Sequence, residues 1–250
     1  MILHWRMMKD IATNRNERVV VAFDLDGVLV NNVTFEHAVT NYIIRELSSS
    51  KNISIERAQE EWNRILTVHH SHPRWHDYSL HCERLHLGNV WKDAHLKNSS
   101  LLKKYDRIDD VISIARDRCD CWIITDATEW VADFKLRCIG HSSSFSEIFS
   151  SSRCGYSKSF NDFWHSIAHS LPSHSMPLIF IENRLDNIRT AKRYIPGCIP
   201  IWLDTPDHPQ EIGFRDIEAN KYHEEGTRVA THDELPEKLG EIISKCYLST

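Results

Sequence analysis

The chain has 250 residues, with 30 Lys+Arg against 35 Asp+Glu and a formal charge of −5 with histidine neutral. Hydrophobic residues at 41% and charged residues at 26% are the balance of an ordinary globular chain, and a pI of about 6.3 argues against a general nucleic-acid-binding surface. No apolar run approaches the ~20 residues of a membrane span, and the opening Met1-Ile2-Leu3-His4-Trp5-Arg6 lacks the apolar core of a secretory signal. The seven cysteines, at 82, 119, 121, 138, 154, 198 and 246, are odd in number and scattered. That usage suits reduced thiols in a cytoplasmic protein better than a disulfide framework.

In chain order, residues 1–16 read as an N-terminal extension. Val19-Val20-Val21-Ala22-Phe23 is a β-branched run that stops at Asp24 and predicts a buried parallel strand. From about Val33 to Tyr105 no strand is expected. Phe35, Ala38, Val39, Tyr42, Ile43 and Leu47 recur at helical spacing, as do Ile55, Ala58, Trp62, Ile65 and Leu66, and Tyr78 to Leu87 fits a third helix. A crossover this long must carry its own structure, so residues 33–105 read as an inserted helical domain between core segments 17–32 and 106–250.

Arg107 to Arg116 predicts the next helix, and Cys121-Trp122-Ile123-Ile124 a second buried strand ending at Thr125-Asp126. Helices follow at Thr128–Leu136 and Phe160–Leu171. A third strand, Pro177 to Ile181, ends at Glu182-Asn183, a helix spans Asp186 to Tyr194, and Cys198 to Leu203 forms a fourth strand, where Pro200 suggests an edge position. Buried strands alternating with helices predict an α/β fold, a doubly wound parallel sheet covered on both faces. Ligands of such sheets sit beyond the carboxyl ends of the strands, where three of these strands end in polar residues.

The first of those ends reads Asp24-Leu25-Asp26-Gly27-Val28. Alternate residues put two carboxylates near one phosphate, and glycine permits a sharp exit turn. The same tetrad also occurs in surface turns and calcium loops. Thr125 alone reads as a helix cap, and Lys158, in Gly155-Tyr156-Ser157-Lys158-Ser159-Phe160, alone reads as a solvated charge. Their order is what matters. Taken together, with Phe145 to Ser150 as a strand approach, they resemble the four motifs of the haloacid-dehalogenase-like (HAD) superfamily, over about Val19 to Leu203.

The resemblance implies that Asp24 attacks phosphorus to form an aspartyl-phosphate and that Asp26 protonates the leaving oxygen and later deprotonates water. It implies that Thr125, Asp126 and Lys158 bind the phosphate, Lys158 by neutralising charge. It further implies Mg²⁺ held by Asp24, Asp26 through its main-chain carbonyl, Glu182 and Asn183. The fourth motif departs from the family's two acidic residues: Glu182-Asn183-Arg184-Leu185-Asp186-Asn187 puts an amide at one of the two metal-facing positions. An alignment shifted by one pairs Glu182 with Asp186 instead.

In relatives, an insert between the first and second motifs is a cap over the site, which favours small soluble phosphates. Asp26 favours phosphate monoesters over carbon–halogen or carbon–phosphorus bonds. The insert carries His69, His70, His72, His76, His81, His86 and His95 with Trp62, Trp75 and Trp91. His72 and His76 have i, i+4 spacing, but Pro73 breaks a helix there and no carboxylate or cysteine pattern completes a zinc site. The segment therefore reads first as a polar, partly buried histidine-rich surface, with contact between its histidines and aromatics and a substrate's leaving group as a middle reading. Cys119 and Cys121 do not by themselves make a metal site.

The expected function is a Mg²⁺-dependent phosphatase acting on a small phosphorylated substrate, with no nucleic-acid or membrane partner. The alternative is a non-catalytic module holding a phosphorylated ligand or protein. Phosphatase action on nucleic-acid ends or phosphoproteins, or phosphomutase transfer, ranks below both.

Overall fold

A computed structural model describes residues 19–69, 71–172, 176–204 and 226–248. The 1–16 extension and His70 lie outside the described residues.

The first strand, β1 (Val20–Phe23), is buried throughout. Its side chains alternate between two cores: Val21 and Phe23 pack into one cluster, Val20 and Ala22 into another on the opposite face. An unbroken apolar run, rather than an alternating one, is what a strand covered on both faces requires. β4 (Asp120–Thr125), β5 (Glu147–Ser150), β6 (Leu178–Glu182), β7 (Cys198–Leu203) and β8 (Thr227–Val229) join it in one sheet of order β5-β4-β1-β6-β7-β8. Every pairing in that sheet is parallel. The doubly wound sheet expected from the sequence is therefore present.

Four α-helices are described within the 33–105 insert: α1 (Val33–Lys51), α2 (Ile55–His69), α3 (Tyr78–Arg84) and α4 (Val90–Asn98). α1 packs against both α2 and α4. It stops where Asn52 adopts a left-handed conformation at φ 52° and donates its N–H to the Ser48 and Ser49 carbonyls. α3 starts on Asp77, whose carboxylate accepts from the Ser79 and Leu80 N–H groups.

The core helices are α5 (Ile108–Arg118), α6 (Glu129–Cys138), α7 (Ser151–Cys154), α8 (Asn161–Ser170), α9 (Leu185–Tyr194) and α10 (Leu235–Leu248). None of the described helices is long and apolar enough to cross a membrane.

Two expectations need correction. The stretch expected to hold no strand contains β3 (Lys103–Lys104), which pairs antiparallel with β2 (Val30–Asn31) where the chain leaves and re-enters the core. Two residues per strand are too short for periodicity to reveal. β7 is also not an edge strand, since β8 flanks it. Pro200 sits opposite Phe180 of β6, and the β8 ladder begins only at Ile201. Its missing N–H thus removes no bond from that ladder, which reconciles the proline with an interior strand.

Candidate active site

The carboxyl ends of β1, β4 and β6 converge on one cavity of about 320 Å³, roofed by residues of α1, α2 and α3 and by the 71–77 loop. Asp24, the residue after β1, is held by a main-chain bond from its N–H to the Ile181 carbonyl at 2.9 Å. Gly27 then turns the chain at φ 84°, where a Cβ would be strained, and donates its N–H to the Val30 carbonyl. Asp24 and Asp26 both line the cavity, so the two carboxylates expected at one phosphate share one space.

Lys158 enters from the segment before α8. Its ammonium lies 2.9 Å from Asp24 Oδ1 and 2.7 Å from Glu182 Oε2. The lysine is fixed at two further points, and its side chain is buried between the two carboxylates. Its main-chain N–H donates to Asp126 Oδ1 at 2.6 Å, and its carbonyl accepts from the Trp164 indole at 2.7 Å. Burial pushes the Asp24 carboxyl well above its usual range, the neighbouring Glu182 charge adds to this, and Lys158 pulls against both. Burial alone would lower Lys158, but Asp24 and Glu182 together raise it above a normal lysine.

Thr125 and Asp126 line the cavity, with the Thr125 hydroxyl accepting from the Ala127 N–H at 3.1 Å. His76 of the 71–77 loop reaches across to Asp126 Oδ2 at 3.5 Å. Burial takes His76 down to about 4, against the pull of Asp126, so the imidazole is neutral near pH 7.

Glu182 and Asn183 behave differently from each other. Glu182 is fully buried behind the cavity. Its oxygens accept from Lys158, from Asn187 Nδ2 and from the N–H groups of Asn183 and Arg184, all at 2.7–3.0 Å. That occupies the lone pairs of an ionised carboxylate. Asn183 lines the cavity, is 4% exposed, and has no hydrogen-bond partner among the described residues for its side-chain oxygen or nitrogen. A buried amide normally finds partners, so this side chain suits an oxygen-seeking cation or a ligand. No three His, Cys, Asp or Glu side chains among the described residues are arranged to hold a metal. A cation here depends on Asp24 together with amide and main-chain oxygens, a set that a hard, well-hydrated ion such as Mg²⁺ accepts.

Asp26 brings in two residues that the sequence reading missed. Lys135 on α6 lies 2.7 Å from Asp26 Oδ1 and 2.6 Å from Glu36 Oε1 on α1, and Tyr78 on α3 donates to Glu36 Oε2 at 2.6 Å. Lys135 is 1% exposed. Burial raises the Asp26 carboxyl, the Lys135 charge lowers it, and Glu36 raises it again, leaving it above normal. Burial likewise favours a neutral Glu36, but Lys135 and the hydrogen bonds from Lys135 and Tyr78 outweigh it and lower this carboxyl. A signal did exist: Val131, Phe134, Lys135 and Cys138 follow i, i+3, i+4, i+7 spacing, which puts a charge on the apolar stripe of α6.

Solved structures match the fold along nearly the whole chain. A HAD phosphatase from Thermococcus onnurineus superposes with a TM-score of 0.72 at 17% identity, covering 89% of this chain and 98% of that one. The fold is that of the HAD-like superfamily. A 2-haloacid dehalogenase from Pseudomonas syringae shares it at a TM-score of 0.63 and 14% identity, over 90% of this chain and 99% of that one. A Bacillus subtilis HAD-hydrolase structure bound to magnesium does so at 0.55 and 17%, over 89% and 99%. No family model and no curated protein matches the chain. One HAD-like fold thus serves both carbon–halogen and phosphate chemistry among these neighbours, so the reaction has to be argued from the site.

Proposed function

We propose that the protein is a Mg²⁺-dependent phosphatase that hydrolyses a small phosphate monoester through an aspartyl-phosphate. The observation that carries this reading is the Asp24–Lys158 pair, 2.9 Å apart in a roofed cavity that also holds Asp26 and Thr125. An Asp24 oxygen forms a bond to phosphorus as the bond to the leaving oxygen breaks, and Asp26, its carboxyl raised by burial, gives that oxygen a proton. In the second half Asp26 takes a proton from water, the water oxygen bonds to phosphorus, and the Asp24–phosphorus linkage opens to release phosphate. Lys158 and the Thr125 hydroxyl hold the phosphoryl oxygens.

Asp24, the Asp26 main-chain carbonyl and Asn183 would hold the cation, with Glu182 orienting Lys158 behind them. When bound, Mg²⁺ supplies positive charge that helps keep Asp24 ionised and offsets the charge on phosphorus oxygens. Helices α1–α4 act as the cap, since Glu36, Trp62 and Tyr78 on them line the cavity. The lid size limits the substrate to a small molecule.

The proposal is tested with p-nitrophenyl phosphate, using wild type and Asp24→Asn, each with Mg²⁺ and with EDTA. Turnover that requires both Asp24 and metal is expected. Retained metal-dependent turnover in Asp24→Asn, with contaminating phosphatase excluded, overturns the mechanism. The hydrogen-bond saturation of Glu182 favours a second reading, a module that holds a phosphorylated ligand without turnover. Calorimetry separates the two, because that module shows no Mg²⁺ binding at millimolar concentration, with or without phosphate.

A further inference from the structure

The half of the cavity away from Asp24 differs in character from the half beside it. Its walls come from the inserted helices and the 71–77 loop, and Trp62, Trp75, His76 and Tyr78 dominate them. Trp62 and Tyr78 are nearly parallel, 14° apart with centroids at 6.1 Å, and the Trp75 and His76 rings lie 3.5 Å apart. Among the described residues this wall contributes no lysine or arginine, and its one carboxylate, Glu36, is already bound to Lys135 and Tyr78. Both lysines lining the cavity are likewise committed, Lys158 to Asp24 and Glu182, Lys135 to Asp26 and Glu36. The remaining cation on the lining, Arg184, comes from the start of α9 in the core rather than from this wall.

Trp62 adds a second, independent sign. It lines the cavity, is 1% exposed, and its indole N–H has no hydrogen-bond partner among the described residues. Two other buried indoles are satisfied: Trp164 donates to the Lys158 carbonyl at 2.7 Å and Trp202 to the Asn183 carbonyl at 3.1 Å. A buried donor left unpaired is costly, so an acceptor on a bound ligand gains more here than at a solvated site. The cavity, at about 320 Å³, is near the lower end of the roughly 300–1,000 Å³ range of small-molecule sites. It accommodates a phosphoryl group and a compact ring.

We propose that the substrates are phosphate monoesters of alcohols carrying an uncharged heteroaromatic ring, stacked on the insert's aromatic wall with a ring acceptor facing the Trp62 indole. This deepens the phosphatase reading and rests on it.

Three synthetic esters isolate the two interactions: 3-pyridylmethyl, benzyl and cyclohexylmethyl phosphate. They share size and an alcohol leaving group, and differ in ring acceptor and aromaticity. Assayed above pH 7 with wild type, kcat/KM is expected to fall in that order. The pyridyl-to-benzyl ratio should be about fivefold, the strength of one ordinary hydrogen bond. In Trp62→Phe that ratio should collapse toward one, a readout independent of the variant's absolute rate.

Equal or faster turnover of the cyclohexylmethyl ester overturns the aromatic assignment. A pyridyl-to-benzyl ratio of one in wild type, or a preference that persists in Trp62→Phe, overturns the indole donor. If wild type hydrolyses none of the three, the phosphatase reading fails by itself. Affinities of the corresponding phosphonates, measured by calorimetry, then decide the inference: the same order sustains it and equal affinities overturn it.

Discussion

Two buried lysines, each held between two carboxylates, divide the site. Lys158 joins Asp24 to Glu182, and all three belong to the core around the sheet. Lys135 joins Asp26 to Glu36, so it bridges the core to the first inserted helix. The chemical motif is the same but the task differs. The first bridge points a cation at Asp24. The second fixes Asp26 and fastens the insert over it, with Tyr78 extending the chain of contacts one helix further. The roof of this cavity is thus tied to Asp26 by charge as well as by apolar packing.

Breaking the first bridge should have the largest effect. Lys158→Met leaves Asp24 and Glu182 facing each other without a cation. A loss of activity of at least ~10²-fold is expected, by analogy with removing one preorganised electrostatic donor, measured as kcat on p-nitrophenyl phosphate. Stability should fall in denaturant melts by ~3–5 kcal/mol, the cost of stranding a buried charge.

Lys135→Met should destabilise on a similar scale, ~3–5 kcal/mol, because Asp26 and Glu36 are then unpaired. The double variant Lys135→Met/Glu36→Gln should recover part of that loss, since one stranded charge is gone. Equal melting curves for wild type and Lys135→Met would show that the second bridge contributes nothing. Asn183→Asp sharpens the comparison from the metal side: a carboxylate in place of the unpartnered amide should tighten Mg²⁺ binding in calorimetry.

The smallest effect concerns pH. His76 is held near 4, mainly by burial, against about 6.5 for a free imidazole. Its folded value is depressed, so the unfolded chain takes up the proton first as pH falls. The stability it contributes is complete above about 6.5 and is lost progressively between there and about 4. Charges facing it include Asp126, Arg184, Lys158 and Glu36. His76→Gln should therefore lose less stability than wild type between pH 7 and pH 5. Parallel losses in the two proteins would remove His76 from the account.

The contrast between the bridges also explains what the sequence disclosed. Asp24, Thr125, Lys158 and Glu182 are legible because each follows an apolar strand or precedes a helix, so local pattern places them at one sheet edge. The helices of the insert were legible at Phe35–Leu47 and Ile55–Leu66, where apolar residues keep a helical period. Helix Val90–Asn98 and the Val30–Asn31/Lys103–Lys104 ribbon were not: the helix has a mixed face and the ribbon is too short to show a period. Lys135 and Glu36 lie 99 residues apart in sequence, and no local rule joins them. Only the packing of the first inserted helix against the core brings them together. Asn183 was readable as a departure from the acidic pattern, but its lack of a partner among the described residues emerges only from the folded surroundings.

The central claim is that Asp24 carries the phosphoryl group. Acid-quenching the wild-type protein during steady-state turnover of p-nitrophenyl phosphate, then mapping peptides by mass spectrometry, tests this directly. The account predicts one phosphoryl group on the peptide containing Asp24, absent when EDTA replaces Mg²⁺ and absent in Asp24→Asn. Turnover with that peptide unmodified, or with the phosphoryl group on another residue, would contradict it.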